Sequence, residues 1–535
     1  MQETSYKTDV VVVGGGLAGI VAAYELLDKN KKVILIDRDV PERFGGLAKE
    51  SFGGMFFVNT PQQRFSGFKD STELALKDWH SYAGFTENDK WPALWAEQYV
   101  NFCKDEVYMW LRKLGIRFFP IVHWVERGLE QPGNSVPRFH MVWGTGQGLI
   151  KTLVNRLSHH TNNAGLTKLF RHKVTDIDAS NGSVNGVSGI NETDGNVFQV
   201  DSEFVVIATG GIGGSIKKVK ENWDTEMGTP PEIILNGSHQ YATGDLHDVV
   251  HNGLGAEVTH LEKMWLYAAG VHHHKPQKPN HGLSLIPPKS ALWFNARGER
   301  FIPPLVSGFD TRYLVERICH QQEQYSWQVL NMKIAVKEFA VSGSEYNDAI
   351  RNKDIFGFLK NSLFGNKALV NEFINENADF VVAGTIEELV LKMNNLSGNN
   401  YIDGDKFARA ILAYDAEIKK GDIHGDEQLR KINYVRQYRG DRIRTCRFQK
   451  IWDKNALPLI AIREFILSRK SLGGIQTDLD CRVLTKTAYI PGLFAIGESA
   501  GFGGGGMHGL RSLEGTFLGG CVLNGRLAAR AIVKG

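Results

Sequence analysis

Near its start the chain runs through a strand-like stretch, Asp9-Val10-Val11-Val12-Val13. It breaks at Gly14-Gly15-Gly16-Leu17-Ala18-Gly19 and resumes as an apolar helix-like segment from Ile20 to Leu27. Strand, glycine turn and helix in that order make the opening of a dinucleotide-binding unit. Gly14 permits the tight turn, Gly16 lets backbone N–H groups approach a pyrophosphate, and Gly19 lets the helix pack closely on the strand. The helix N-terminus adds unpaired donors and the positive end of its dipole. A second strand, Lys32 to Ile36, then delivers Asp37, which falls 18 residues after Gly19. That is near the spacing at which an acid accepts hydrogen bonds from an adenosine ribose.

Junctions of the same kind recur far along the chain. A hairpin pattern from Arg171 through Val187, with Asn181-Gly182 as its turn, leads into the apolar run Glu203 to Ala208, which stops at Thr209-Gly210-Gly211-Ile212-Gly213-Gly214. Close to the C-terminus, Pro491 to Glu498 reads as a strand, Gly503 to Gly509 as a glycine loop, and the remainder as a helix. Three such junctions so widely separated imply one discontinuous, Rossmann-like α/β domain with an insertion. The expected division is 1–261 and 471–535 for the dinucleotide-binding domain and 262–470 for an inserted α+β cap, the substrate domain, set over the site; an independent appended domain is the alternative. Within the insertion Thr385-Ile386-Glu387-Glu388 forms a capping-box pattern ahead of Leu389 to Met393. Residues from about 70 to 160 read as mostly helical, with Trp79, Trp91, Trp95, Trp110 and Trp124 as core anchors rather than a substrate cage.

Composition limits the partners. The 535 residues, 42% of them hydrophobic, suffice for two or three domains. Lys and Arg number 62 against 59 Asp and Glu, a formal charge of +3, so the total gives no electrostatic case for nucleic acid or an anionic membrane, and small molecules are the expected substrates. The five cysteines are scattered without a CxxC pair, as in reduced cytosolic proteins. No signal-peptide pattern precedes the first strand and no apolar run reaches the roughly 18 residues of a membrane span, so the expected location is the cytoplasm.

The motifs together resemble the FAD-binding flavoproteins of the fumarate reductase/succinate dehydrogenase superfamily. The matching segments are Gly14 to Gly19 with Asp37, Gly45-Gly46-Leu47-Ala48 followed by Ser51-Phe52-Gly53-Gly54, Ala208-Thr209-Gly210-Gly211, Tyr241-Ala242-Thr243-Gly244-Asp245, and Gly492 to Glu498 leading to His508-Gly509. Within that superfamily the chain is most similar to the 3-ketosteroid-dehydrogenase-like branch. The resemblance implies that Gly14, Gly16 and Gly19 hold a pyrophosphate, Asp37 the adenosine ribose and Glu498 the ribityl chain. It implies further that Ser512 and Leu513, near a helix N-terminus, hold the flavin's pyrimidine edge through backbone N–H groups. The implied cofactor set also includes Leu17, Ala18, Arg38, Val174, Gly244, Gly497 and Arg511. Arg38 would suit a 2′-phosphate, but Asp37 beside it would repel one, which favours FAD. No histidine precedes His80, so the histidine of the Gly46–Gly54 loop that attaches flavin covalently in some relatives is missing, and noncovalent FAD is expected.

Such a flavin exchanges hydride at N5 with a carbon beside a carbonyl, so the protein must polarise that carbonyl and move a proton. Several fumarate reductase features are missing: Met264-Trp265-Leu266-Tyr267 replaces a His-Pro-Thr segment, Arg469-Lys470-Ser471-Leu472 stands before Gly473-Gly474 without a histidine, and Ser512 takes the place of an arginine, with Arg511 adjacent. Ketosteroid dehydrogenases use tyrosines, but Ile460 occupies the position of one of them, leaving Tyr267 and Tyr438 as candidates. His508 is the favoured site residue, a donor to a substrate carbonyl. Arg312 resembles the reductases' proton-donor segment, and Arg469 with Arg463 would suit an anionic substrate tail, Arg463 also being able to pair with Glu464. A metal site at His272-His273-His274 with His281 is disfavoured because no carboxylate stands at ligand spacing. The reading is an FAD-dependent dehydrogenase acting on CH–CH bonds beside a carbonyl of a ketone or enone. The alternatives are a fumarate-reductase-like reductase of unsaturated carboxylates and a flavin-carrying electron-transfer subunit. The electron acceptor or donor is a diffusible molecule or a partner, since no second nucleotide motif and no iron–sulfur or haem cysteine set is present.

Overall fold

Runs of β-branched residues build the first sheet. In the computed structural model, which describes residues 3–180 and 182–534, five strands lie parallel in the order Tyr489–Ala495, Val197–Ile207, Glu3–Val13, Val33–Asp37 and Leu166–Phe170. Arg482–Leu484 adds antiparallel to the outer edge, and the hairpin His172–Ser180 with Ser183–Asn191 attaches to Val197–Ile207. Ser180 pairs with Ser183 across the hairpin end; the expected turn residue Asn181 lies outside the described residues. Val10 to Val13, Val33 to Ile36 and Val205 to Ile207 are buried, as parallel strands covered on both faces must be. Val13 sits in register with Ile36 on one side and Ile207 on the other, and Ile207 with Ala495. The chain therefore leaves the sheet at Gly14, Asp37, Ala208 and Ile496 along a single carboxyl edge, where open α/β sheets place their ligands.

The chain divides into two compact units. The first comprises Met1–Asn222, Ser238–Trp265 and Arg469–Gly535; the second comprises Trp223–Gly237 and Leu266–Ser468. In the first unit, helix Leu17–Asp28 packs on the C-terminal helix Thr516–Lys534 so closely that a Cβ on Gly525 would lie 2.7 Å from the Ala18 carbonyl oxygen. Arg526 bonds Glu25 at 2.8 Å across the same contact, joining the two ends of the sequence. The stretch expected to be mostly helical is interrupted. Helices span Thr72–Ala83, Lys90–Phe102, which continues through a π-helical segment into Trp110–Lys113, and Thr145–Ser158. Residues 114–144 are irregular apart from the short strand Phe139–Met141, because Gly115, Pro120, Gly128, Pro132, Gly133 and Pro137 punctuate them. Trp79 and Trp95 are fully buried, whereas Trp91, Trp110 and Trp124 are only partly so.

The second unit is α+β. Its sheet runs Leu292–Asn295, Ser326–Asn331, Leu459–Ser471, Met264–His272, Gly282–Ile286 and Ala340–Val341, with Phe380–Ala383 and Ile234–Asn236 also pairing Leu459–Ser471. Residues 223–237 join this unit, although the sequence reading keeps them in the first, because Ile234–Asn236 pairs in parallel with Ile466–Ser468. Thr385 caps helix Ile386–Ser397 by accepting from the Glu388 amide at 3.2 Å, and the Glu388 carboxylate accepts from Gly384 N at 2.7 Å.

Strand alternation separates Arg463 from Glu464. Arg463 pairs with Asp379 at 3.3 Å and donates to the Leu396 carbonyl, which corrects the expected Arg463–Glu464 pair. Glu464 is fully buried with neither carboxylate oxygen hydrogen-bonded among the described residues; burial, reinforced by Asp379, pushes its carboxyl well above the usual range. Below the ordinary value of 4.5 both folded and unfolded chains carry the proton and nothing is lost. As pH rises past it the unfolded chain releases the proton while the folded one holds it, so stability falls. Glu464→Gln is expected to leave stability unchanged near pH 4.5 and to raise it by about 1–3 kcal/mol at pH 8. Urea unfolding at the two pH values measures this, and an equal effect at both would refute it.

Candidate active site

Helix Leu17–Asp28 begins at Gly16 with no side-chain cap and no acidic residue in its first turn, so its amides are left for a ligand. The three motif glycines are not equivalent. A Cβ on Gly14, at φ 112°, would meet the Ala208 carbonyl oxygen at 2.2 Å, and one on Gly19 would meet that of Gly14 at 2.0 Å. At Gly16, by contrast, no atom lies within 4 Å of the Cβ position. The first two close the turn, and the third leaves room above it. Asp37 accepts from Gly15 N at 2.6 Å and from Asp39 N at 2.7 Å, and burial raises its pKa despite both bonds. Each oxygen retains a lone pair for a further donor. Arg38 makes a two-pronged bond to Glu192 and lies over the Tyr241 ring at 4.6 Å, so a carboxylate already neutralises it. That disfavours a 2′-phosphate.

Other expected cofactor residues gather along the same carboxyl edge. Gly45 N donates to Gly15 O at 3.0 Å, and a Cβ on Gly46 would lie 3.2 Å from the Gly16 Cα. Leu47 and Ala48 follow in the short 3-10 turn Gly46–Glu50. Ser51 Oγ donates to Ala48 O and accepts from Gly53 N, while Gly54 opens a short strand against Phe139–Met141. Ala208 N bonds Val13 O, and beyond Thr209 and Gly210 a Cβ on Gly211 would meet Ser471 Oγ at 2.3 Å and Glu498 Oε1 at 2.7 Å. Glu498, after Gly497, accepts from Ser471 N at 2.9 Å, and burial pushes its carboxyl up to about 7. Asp245, next to Gly244 at a helix start, bonds Lys173 at 3.0 Å, and Val174 packs in the hairpin core.

His508 is fully buried, its ring stacked on Trp79 at 5.7 Å and 8° and flanked by Phe502 and Phe517. Burial, with Lys470 adding to it, lowers its pKa to about 3, so the imidazole is neutral. Thr516 donates its hydroxyl proton to Leu513 O at 2.8 Å, and Nδ1 lies 3.3 Å from both the Thr516 and the Ser512 hydroxyl oxygens. Nε2 is buried and has no hydrogen-bond partner among the described residues. In the tautomer that carries its proton on Nε2, this nitrogen is a neutral donor suited to a carbonyl oxygen. Ser512 and Leu513 lie in the loop before the C-terminal helix, which starts only at Thr516, and Arg511 beside them is partly exposed. Lys470, overlooked as a site residue, lies 3.9 Å from the Phe517 ring centre and 4.0 Å from Glu514, which bonds Trp265 Nε1. Burial lowers its pKa to about 8, a signal that appears only once strand Leu459–Ser471 is folded. Arg469 precedes it on that strand.

Tyr267, Tyr438 and Arg312 lie in the second unit. Tyr267 packs against Leu235, Phe465 and Leu467, and Tyr438 stands at the start of helix Arg439–Arg444. Arg312 is buried and held by Asp224 at 3.0 Å, Glu226 at 3.4 Å and Glu316 at 2.5 Å, not by a surface helix environment. The histidine run does meet carboxylates that sequence spacing hid: His272 bonds Asp379, His273 bonds Glu345, and His274 faces Glu372 and Glu376. Lys275, 3.0 Å from Glu376, already brings a positive charge to the last of these groups.

Comparison with known proteins follows the same lines. The family model described as an FAD binding domain matches residues 9–518. A KsdD-like steroid dehydrogenase of Mycolicibacterium smegmatis is 40% identical over 529 residues, 95% of this chain and 96% of the relative. In fold the chain resembles a 3-ketosteroid delta1-dehydrogenase from Sterolibacterium denitrificans, with a TM-score of 0.68, 16% identity and 99% of both chains covered. It also resembles the open conformation of a flavocytochrome c3 fumarate reductase, with a TM-score of 0.69, 21% identity, and 99% and 79% of the two chains covered. The uncapped helix start, the open space over Gly16, the ribose-suited Asp37 and the neutralised Arg38 fit FAD. The chain therefore belongs to the FAD binding domain family of flavoproteins.

Proposed function

We propose that this chain is an FAD-dependent dehydrogenase of 3-ketosteroid-like substrates, removing a hydride from one carbon and a proton from its neighbour beside a ketone. The relative's name supports the substrate class, and the chain covers nearly the whole of that relative. FAD, when bound, supplies the two-electron acceptor for the hydride. The carrying observation in the chain itself is the neutral, buried His508 with its unpartnered Nε2. It donates to the ketone oxygen and stabilises the charge that gathers there as the neighbouring carbon loses its proton. Trp79 fixes the ring plane, and the Ser512 and Thr516 hydroxyls engage Nδ1, leaving Nε2 for the substrate. Tyr267 and Tyr438 are the candidate bases of the second unit, which we assign as the cap over the substrate; Arg469 and Lys470 supply positive charge in the first. FAD is held noncovalently, since the Gly45–Gly54 loop contains no histidine.

Anaerobic visible spectroscopy tests the reading. Bleaching of the yellow protein by a 3-oxosteroid supports it. Failure of every steroid, with fumarate reoxidising chemically reduced protein, would establish the dicarboxylate-reductase alternative instead. Silence to both classes would favour an electron-transfer subunit. His508→Gln is expected to lower kcat/KM about 100-fold while retaining flavin and melting temperature; unchanged kcat/KM would reduce His508 to packing.

A further inference from the structure

One helix of the second unit is turned inside out. Ile355–Phe364, Ile-Phe-Gly-Phe-Leu-Lys-Asn-Ser-Leu-Phe, has no buried residue. Phe356 is 81% exposed, Leu363 67% and Phe364 77%, and Ile355 and Leu359 are also exposed. Soluble proteins scatter such residues singly and do not concentrate them on one helix. Leu363 and Phe364 continue into a groove of about 390 Å³ whose walls include Met332 and Val336 and whose rim carries Lys333, Lys337 and Lys367. Lys360 stands on the helix itself.

The near-neutral total charge hides what lies beside this helix. Helix Arg439–Arg444 packs against it, and the segment from Arg430 to Lys450 carries eight Lys and Arg against one acid, Asp441. Asp441 pairs with Lys289 at 3.6 Å. The other nearby acids are also engaged: Asp354 caps the apolar helix through Gly357 N, and Glu338 is buried on Ser290 and Cys446 N. Lys431 is held by Glu427 at 2.8 Å, but the other cations outnumber the acids, so the surface is an apolar stripe bordered by an excess of positive charge, which is the composition of a helix that lies in the plane of a lipid interface.

We propose that this face docks on an anionic lipid bilayer, the aromatic and aliphatic side chains of Ile355–Phe364 entering the acyl boundary and the flanking Lys and Arg residues meeting lipid phosphates. Nucleic acid would use the cations and leave the apolar stripe in water; a bilayer satisfies both. No helix among the described residues is long and apolar enough to cross a membrane, so the contact is peripheral. Docking of this kind would bring an enzyme of apolar ketones to the phase where such molecules collect, but the contact does not depend on that activity.

Sedimentation of the full-length flavin-loaded protein with vesicles tests the proposal. Vesicles of phosphatidylcholine with 30% phosphatidylglycerol, taken as about that fraction, should bind it at least tenfold more strongly than pure phosphatidylcholine, and 0.5 M salt, taken as about that strength, should release most of it. Phe356→Ser with Phe364→Ser should lower binding about tenfold, and Lys360→Glu with Lys367→Glu should abolish the preference for the anionic lipid, while flavin content and melting temperature stay unchanged. Absence of binding to the anionic vesicles, or binding indifferent to the serine pair, overturns the proposal. So does a protein dimer that ignores vesicles and dissociates on the serine substitutions, since the occupant would then be a second copy of the chain.

Discussion

Gly16→Val is expected to fold with wild-type stability and to bind FAD at least 100-fold more weakly, a loss of about 2.7 kcal/mol. Gly16 has φ −75° and ψ −176°, an extended conformation open to any residue, and its Cβ position has no neighbour within 4 Å. The β-carbon of a valine there has open space, and its methyls project over the uncapped helix start, where an incoming pyrophosphate needs bare backbone. Gly19→Ala should behave in the opposite way. Its methyl would lie 2.0 Å from the Gly14 carbonyl oxygen, a backbone atom that cannot move without opening the turn, so that variant should lose stability first and flavin as a consequence. Flavin titration and thermal melting of both apoproteins separate the two. Wild-type affinity in Gly16→Val would remove the pyrophosphate from this turn.

The contrast between those two glycines marks what the sequence discloses. Strand, turn and helix are local events, and apolar runs ending in glycine announced all three junctions. Register then followed from continuous apolar patterning, since slipping Val10–Val13 against Val33–Ile36 or Val205–Ile207 would break a sheet buried on both faces. The place of Asp37 and Glu498 at the carboxyl edge of the sheet was legible because both follow such junctions. What escaped depends on residues distant in sequence. Ile234–Asn236 offers only three residues, and its place in the second unit is decided by Ile466–Ser468. Lys470 looks like any strand lysine until Phe517 and Glu514 surround it. Arg463 and Glu464 invited a pairing that strand alternation forbids. His508 was singled out by its place after the glycine loop, yet its neutral state rests on Trp79, Phe502, Phe517 and Lys470, none of which is its neighbour in sequence. The basic segment beside Ile355–Phe364 vanished in a whole-chain charge of +3 because charge sums erase position.

Removing the guanidinium of Arg138 should destabilise the first unit by about 3–5 kcal/mol. Arg138 is fully buried, and it holds Asp70 through Nε and Nη2 at 2.8–3.2 Å and Asp78 through Nη1 at 2.6 Å. Asp70 precedes helix Thr72–Ala83 and Asp78 lies within it, so one cation from the irregular stretch fixes the helix that carries Trp79. Arg138→Met keeps much of the apolar stem but leaves two carboxylates buried without their counter-charge. Asp70 would still accept from Gln63 Nε2 at 2.8 Å and Asp78 from Ser135 N at 2.9 Å, yet neutral donors do not replace a charge. Adding Asp78→Asn removes one of the two uncompensated charges while its side-chain oxygen can still accept from Ser135, so the double variant should recover part of the loss. Chemical denaturation of wild type, single and double variants measures both steps. Because His508 stacks on Trp79, the single variant should also lose turnover before it unfolds, as the ring that orients His508 loosens. A single variant as stable as wild type would refute this role for Arg138.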